Sequence, residues 1–232
     1  RSRSLARPPI GSDLVKRPDG AQETCQVLSF MNSPFLKIGS FTFNWGSRTY
    51  VMGILNVTPD SFSGDGIIAK GDAINTAVEQ ARGFLASGAD ILDVGGESTR
   101  PGSAPVNADD EMERVIPIVQ ALKQNFPEAL ISIDTYKALV AEEALKAGAR
   151  IVNDVWGLRA DDGLASVAAK YKVPVILMHN RSNPASVEVR EKLGGAYAGS
   201  EYQNLMEDVK RELLESVALA KNAQIAESHI IL

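Results

Sequence analysis

An apolar run that ends in polar side chains occupies residues 51–62, which read Val51-Met52-Gly53-Ile54-Leu55-Asn56-Val57-Thr58-Pro59-Asp60-Ser61-Phe62. The same layout recurs further along the chain, in Ile91-Leu92-Asp93, Ile131-Ser132-Ile133-Asp134, Ile151-Val152-Asn153-Asp154 and Val175-Ile176-Leu177-Met178-His179. Strands that alternate with helices, each with polar groups at its carboxyl end, are typical of a (β/α) barrel with one active face. The sequence therefore predicts an α/β fold built on parallel strands.

Helical periodicity fills the gaps between these predicted strands. The first helix is predicted to begin with Asp72 as its N-cap, and the second to begin at Asn107. Further helices are predicted at about 136–147, 162–170 and 201–223. Upstream, two short apolar runs flank Gly39-Ser40 and predict a β-hairpin that covers the bottom of the barrel.

The number of predicted units is smaller than a complete barrel requires. The chain contains five βα units and the start of a sixth strand, whereas a closed barrel of this type has about eight. We expect a fragment with a disordered tail at residues 1–24 and an incomplete barrel domain at residues 25–232. Because such a barrel leaves a strand edge and interior faces exposed, the isolated chain should aggregate and lack activity.

Composition narrows the class of protein. Of the 232 residues, 44% are hydrophobic and 23% charged, which is ordinary for a globular domain. The net charge of -5 argues against general nucleic-acid binding, because no basic field exists to neutralise phosphates. No apolar stretch is long enough for a membrane span. The lone cysteine, Cys25, cannot form an internal disulfide, so we expect a reducing, cytoplasmic location.

Two long motifs carry a resemblance to a known family. They are Gly53-Ile54-Leu55-Asn56-Val57-Thr58-Pro59-Asp60-Ser61-Phe62-Ser63 and Gly95-Gly96-Glu97-Ser98-Thr99-Arg100-Pro101-Gly102. Together with the strand ends at 133–135, 152–154 and 177–179, they resemble dihydropteroate synthases over roughly residues 35–232. The resemblance implies a (β/α)8 TIM barrel of the pterin-binding type and a homodimeric parent protein. Such enzymes join 4-aminobenzoate to 6-hydroxymethyl-7,8-dihydropterin diphosphate in folate biosynthesis, releasing pyrophosphate on a Mg²⁺-assisted path.

The resemblance also implies roles for the groups that would handle the diphosphate and the metal. Asn56 would offer an amide oxygen to Mg²⁺, which takes much of its shell from water and phosphates. Thr99 and Arg100 would bind the diphosphate, and the Arg100 guanidinium would stabilise the departing charge. On residue type alone, Asn56 could instead cap a turn, and Arg100 could be a solvated loop residue.

Other residues would bind the two ring systems. Phe62 and Pro101 would form apolar walls for 4-aminobenzoate. Asp134 and Asn153 would match the donors and acceptors of the pterin edge, and an ionised Asp134 would stabilise positive charge that develops in the ring. Met178 would lie under the pterin, although an inward Met is as often plain core, and Asp134 could instead cap the next helix.

Four further polar residues are interpreted as structural. His179 has no partner at metal-ligand spacing in the sequence, and we assign Asp93, Glu97 and Asp154 to the scaffold.

The sequence departs from the family pattern in two places. The first loop reads Ser63-Gly64-Asp65-Gly66, where the family more often has Ser-Asp-Gly-Gly. The acidic residue is therefore displaced by one position. The family's downstream Asp-Pro-Gly, Ser-Arg-Lys and final Arg/His motifs lie beyond the last residue, Leu232. Two other functions therefore stay open: a pterin-binding methyltransferase domain, which would have no diphosphate for Thr99 and Arg100 to hold, and a non-catalytic homologue.

Overall fold

The structure is a computed structural model, and it describes residues 35–57, 70–98, 105–181 and 202–232. The tail predicted at residues 1–24 and the domain boundary predicted at residue 25 lie outside these ranges, so both stay predictions.

An antiparallel hairpin opens the described chain, as predicted. It consists of β1 (Phe35–Ile38) and β2 (Phe41–Asn44), with Phe35 opposite Asn44 and Ile38 opposite Phe41. Gly39 in the connecting turn has a φ of 59°, a left-handed conformation that glycine adopts without a steric penalty.

Within the described residues, six parallel strands form the main sheet, and they follow one another across it in sequence order. They are β3 (Met52–Asn56), β4 (Ile91–Gly95), β5 (Leu130–Asp134), β6 (Ile151–Asp154), β7 (Val175–Leu177) and β8 (Ile230–Ile231). Sequential parallel order with a helix between strands is the topology of a (β/α) barrel. The predicted α/β class, with five βα units and the start of a sixth strand, is confirmed.

Helices connect these strands. They are α1 (Lys70–Ala86), α2 (Ala108–Asn125), α3 (Ala138–Ala147), α4 (Leu164–Tyr171) and α5 (Leu205–Asn222), and a 3₁₀ turn spans Glu227–His229. Asn107 caps α2 as predicted, since its side chain accepts a hydrogen bond from the backbone N–H of Asp110. The prediction that Asp72 is the N-cap of α1 is wrong, because that helix begins at Lys70. An acidic residue suits the positive end of the helix dipole within the first turn as well as at the cap.

The two faces of the sheet pack differently. Register places Leu55, Val94, Ile133 and Val152 side by side on the outer face, where they join the core formed with the helices. On the inner face, the strand starts Ile91, Leu130 and Ile151 pack against Leu36 and Phe43 of the hairpin. The hairpin therefore covers the bottom of the sheet, as the sequence predicted.

The inner face is open along β3. Ile54 lies on this face and is 54% exposed, because among the described strands β3 has a neighbour on one side only. Within the described ranges, no helix combines the length and the apolar character that crossing a membrane requires.

Candidate active site

Strand register brings three of the predicted site residues into one row. Asn56 pairs with Gly95, Gly95 with Asp134, and Asp134 with Asn153. Register partners in a parallel sheet project from the same face, and neighbouring strands lie about 4.8 Å apart. Asp134 and Asn153 are therefore adjacent, whereas Asn56 lies about 10 Å from Asp134, two strands away. The row occupies the inner face at the carboxyl edge, where (β/α) barrels carry their active sites.

Asp93 lies one layer below this row. It is 2% exposed and pairs in register with Ile54 on one side and Ser132 on the other. The Asn153 side chain donates a hydrogen bond from Nδ2 to Asp93 Oδ2 at 3.0 Å. Asp93 Oδ1 and Ser132 Oγ are both buried and make no hydrogen bond of normal geometry within the described ranges. Burial raises the pKa of Asp93, although nearby Ser132 and Asn153 limit the increase.

Asp134 has the most strongly raised pKa among the acids of this site. Burial raises the pKa of Asp134 to about 7, and the negative charges of Asp93, Glu111, Asp154 and Glu97 add to the effect. Near neutral pH the carboxyl is therefore poised between its neutral and ionised forms. A ligand that brings positive charge next to Asp134 would favour the carboxylate.

The alternative that Asp134 caps the following helix is not supported. The residue preceding α3 is Lys137, which makes no side-chain capping hydrogen bond. The first backbone N–H of that helix, at Ala138, donates instead to Asp161 Oδ2 at 2.8 Å. Asp134 itself belongs to β5, where it pairs in register with Gly95 and Asn153.

A buried ion cluster supports the loops beside the row. Lys137 Nζ donates hydrogen bonds to Glu97 Oε2 and Glu111 Oε2, and the three side chains are 14%, 10% and 1% exposed. Burial alone would lower the pKa of Lys137, but the hydrogen bonds to Glu111 and Glu97 outweigh it and the pKa is raised. Glu97 also accepts from the backbone N–H of Val106 at 3.1 Å and from the Tyr136 hydroxyl at 3.3 Å.

Sequence reasoning missed Lys137. The one available signal was its position three residues after Asp134, and a lysine at a predicted helix start is ordinarily solvated.

Asp154 is a scaffold residue, in agreement with the sequence interpretation. Its carboxylate is fully buried and accepts hydrogen bonds from the backbone N–H groups of Trp156 and Leu158 at 2.8 and 2.6 Å. These bonds hold the turn that follows β6, where Leu158 has a left-handed φ of 65°.

His179 has a structural partner. Its Nε2 lies 2.8 Å from Glu212 Oε2 on α5, and Arg181 pairs with the same carboxylate at 2.6 Å. This arrangement agrees with the structural interpretation of His179. Met178 follows β7 directly and is 48% exposed, so it is not a fully buried core residue.

The remaining site residues predicted from sequence, Phe62, Thr99, Arg100 and Pro101, lie outside the described residues.

A metal ion would find few protein ligands here. The described ranges contain no cluster of three or more His, Cys, Asp or Glu side chains arranged to hold one. Asn56 offers one neutral oxygen at an exposed position of the row. A single neutral donor fits Mg²⁺ that is coordinated mainly by water and substrate phosphates. It does not fit a metal that is coordinated mainly by protein side chains.

Comparisons with known proteins show the family to which the chain belongs. The profile of a family described as "Pterin binding enzyme" matches residues 52–232. The dihydropteroate synthase of Clostridium beijerinckii is 49% identical over 197 residues, which cover 85% of this chain and 66% of that protein.

Solved structures are similar as well. A dihydropteroate synthase from Clostridium difficile, crystallised in the presence of pteroic acid, superposes with a TM-score of 0.70 at 45% identity, covering 81% of this chain and 64% of that one. A Xanthomonas albilineans dihydropteroate synthase with 4-aminobenzoic acid gives a TM-score of 0.71 at 35% identity, covering 85% and 65%. The chain thus spans just under two thirds of the length of these relatives.

Proposed function

The chain belongs to the pterin-binding enzyme family, and from that premise we propose that the full-length protein is a dihydropteroate synthase. It would condense 6-hydroxymethyl-7,8-dihydropterin diphosphate with 4-aminobenzoate to give 7,8-dihydropteroate and pyrophosphate. The similarity to synthases over 85% of the chain supports this activity over a methyltransferase domain or a non-catalytic homologue.

The observation that carries the proposal is the row of Asn56, Asp134 and Asn153 on one face of the sheet. A pterin is a flat heterocycle whose edge presents ring nitrogens and an amino group, and carboxyl and amide side chains can pair with that edge. Asp134 and Asn153 are neighbours about 4.8 Å apart, a spacing that suits two contacts to one ring system. Met178, exposed after β7, would pack against the ring.

The proposed reaction replaces a C–O bond at the pterin methylene with a C–N bond. The C–O bond between the pterin methylene and the diphosphate breaks, and the electron pair leaves with pyrophosphate. The amine nitrogen of 4-aminobenzoate then bonds to the methylene and loses a proton to solvent. Positive charge that develops between these events spreads from the methylene into the ring, where the Asp134 carboxylate would stabilise it.

The residues outside the described ranges complete the proposal. Thr99 and Arg100 would hold the diphosphate, and Arg100 would stabilise the leaving charge. Phe62 and Pro101 would contact the benzene ring of the second substrate.

Mg²⁺ would bind together with the diphosphate of the pterin substrate. Asn56 would supply a protein oxygen to the ion, which would neutralise charge on the leaving group when bound. The lone Cys25 supports a reducing, cytoplasmic location. A homodimer is proposed from the family resemblance alone.

A product assay of the full-length protein tests the proposed function. Incubation with dihydropterin diphosphate, Mg²⁺ and radiolabelled 4-aminobenzoate should give labelled dihydropteroate and pyrophosphate in equal amounts. Omitting the pterin diphosphate is the control. A folded protein that releases pyrophosphate without labelled product, or forms neither, would contradict the proposal.

A further inference from the structure

Asp93 is a buried acid for which the proposed reaction has no direct use. The other positions of its layer on the inner face are Ile54, Ser132 and Ile151, and an apolar residue at position 93 would fit such surroundings. Burying a carboxyl costs free energy unless its hydrogen bonds compensate for lost hydration. The Asn153 amide supplies one such bond, and the Ser132 hydroxyl lies close enough to limit the increase in the pKa of Asp93, although no hydrogen bond of normal geometry reaches Oδ1 within the described part of the chain.

The bond from Asn153 to Asp93 fixes the orientation of the Asn153 side chain. The two ends of an amide are nearly the same size, so only hydrogen-bond partners decide which end points where. An ionised carboxylate accepts hydrogen bonds and donates none. In its ionised form, Asp93 therefore requires the NH₂ group of Asn153 on its own side, as the observed bond has it, and it leaves the Asn153 carbonyl oxygen for other partners.

We propose that Asp93 is a positioning residue that turns the carbonyl oxygen of Asn153 toward the ligand, so that the site selects a heterocycle edge carrying N–H donors, the 2-amino group of a pterin among them. This inference rests on the proposed function, since it needs a pterin next to Asn153. It adds the residue that sets the donor and acceptor pattern of the pocket.

The chemistry of the row agrees with this role. Asn153 pairs in register with Asp134, whose carboxyl oxygens are also acceptors when ionised. With the Asn153 oxygen facing the ligand, both neighbours present acceptors to one edge. With the amide reversed, Asn153 would present donors beside Asp134 and would reject the same edge.

The experiment compares two ligands that differ at the 2-position, using full-length protein. Calorimetric titration gives the Kd of 6-carboxypterin, which has a 2-amino group, and of 6-carboxylumazine, which has a 2-oxo group. Wild type should prefer the pterin. Asp93→Asn has nearly the same shape, but it can either accept from or donate to Asn153. We expect this variant to bind the pterin about tenfold more weakly. Its preference for the pterin, measured as the ratio of the two Kd values, should fall at least about fivefold.

A second variant restores the orientation by another route. In Asp93→Asn/Asn153→Asp, the new amide at position 93 donates to the new carboxylate at position 153. That carboxylate then presents an acceptor oxygen to the ligand. The double variant should recover the preference for the pterin, and it carries the test if Asp93→Asn alone does not fold. Ser132→Ala is the matched control, because it removes the other polar group beside Asp93 but keeps the bond between Asn153 and Asp93, so its ligand preference should equal that of wild type.

The outcomes separate the inference from the function on which it rests. If wild type binds neither ligand, the proposed function fails and the inference fails with it. If wild type prefers the pterin and Asp93→Asn shows the same preference, the inference alone is wrong, even if both affinities fall together. A double variant that folds but does not regain the preference also overturns it.

Discussion

Gly95 on β4 and Asp134 on β5 are register partners, and a Cβ added at Gly95 would lie 3.3 Å from Asp134 Oδ2 and 3.4 Å from Asp134 Cβ. The missing side chain of Gly95 therefore provides the space in which the Asp134 carboxyl lies.

Gly95→Ala should move the Asp134 carboxyl by a few tenths of an ångström. We expect kcat/KM of the full-length enzyme to fall at least about tenfold, because catalysis is sensitive to small displacements of a charged group. The free energy of unfolding, measured by urea denaturation, should change by less than about 1 kcal/mol. Unchanged kcat/KM in this variant would mean that Asp134 needs no such space.

Asp134→Asn tests the raised pKa through stability. The pKa of Asp134 is about 7 in the folded protein, against 3.8 for the ordinary side chain. The folded state thus holds the proton more tightly than the unfolded chain. The contribution of this group to stability is complete below about pH 4 and is lost as the pH rises through about 7. The side chain of the Asp134→Asn variant cannot ionise, so the variant should not lose stability in this way as the pH rises.

Urea denaturation of full-length wild type and Asp134→Asn at pH 4 to 8 measures the effect. The two free energies of unfolding should agree near pH 4, and the variant should be more stable by at least ~1 kcal/mol at pH 8. Turnover of the variant should nevertheless fall about 100-fold, because the stabilising carboxylate is gone. A stability difference that is the same at every pH would contradict a raised pKa.

Lys137→Met should be strongly destabilising. It removes the cation that Glu97 and Glu111 share and leaves both carboxylates buried. Breaking a buried ion pair in this way costs about 3–5 kcal/mol, which thermal and urea denaturation will detect. Lys146→Met is the matched control, since Lys146 is 50% exposed and pairs with Glu143 on the surface. Its effect should stay within ~0.5 kcal/mol, and equal effects of the two substitutions would contradict a buried cluster.

Two glycine-to-alanine substitutions should change the stability of the protein in opposite directions. A Cβ at Gly53 on β3 would lie 2.6 Å from Phe84 Cδ2 on α1, so Gly53→Ala should destabilise the protein by about 1–3 kcal/mol. Gly83 lies one residue before Phe84 in the same helix, and a Cβ there meets no atom within 4 Å. Gly83→Ala should therefore stabilise by about 0.5–1 kcal/mol through helix propensity. Calorimetric melting temperatures of both variants check the packing of α1 on β3.

The strand pattern was sufficient to predict the placement of Asn56, Asp134 and Asn153 at one edge. Parallel strands align their carboxyl ends, and alternation along each strand decides the face. The hairpin over the bottom was predictable for a similar reason, because two short apolar runs around Gly39-Ser40 need a surface to cover.

Contacts across strands were not predictable in this way. The bond between Asn153 and Asp93 depends on a side chain reaching the layer below on a strand two places away, which the sequence does not encode locally. The Lys137 cluster joins side chains from two loops and a helix. Asp72 was misplaced because capping residues and first-turn acids have overlapping preferences.

A crystal structure of the full-length protein with pteroic acid tests the central claim most directly. The account predicts that the pterin ring lies on the inner face of the sheet, with its edge within about 3.2 Å of the side-chain oxygens of Asp134 and Asn153. A pterin ring bound elsewhere, with Asp134 and Asn153 both facing solvent, would contradict it.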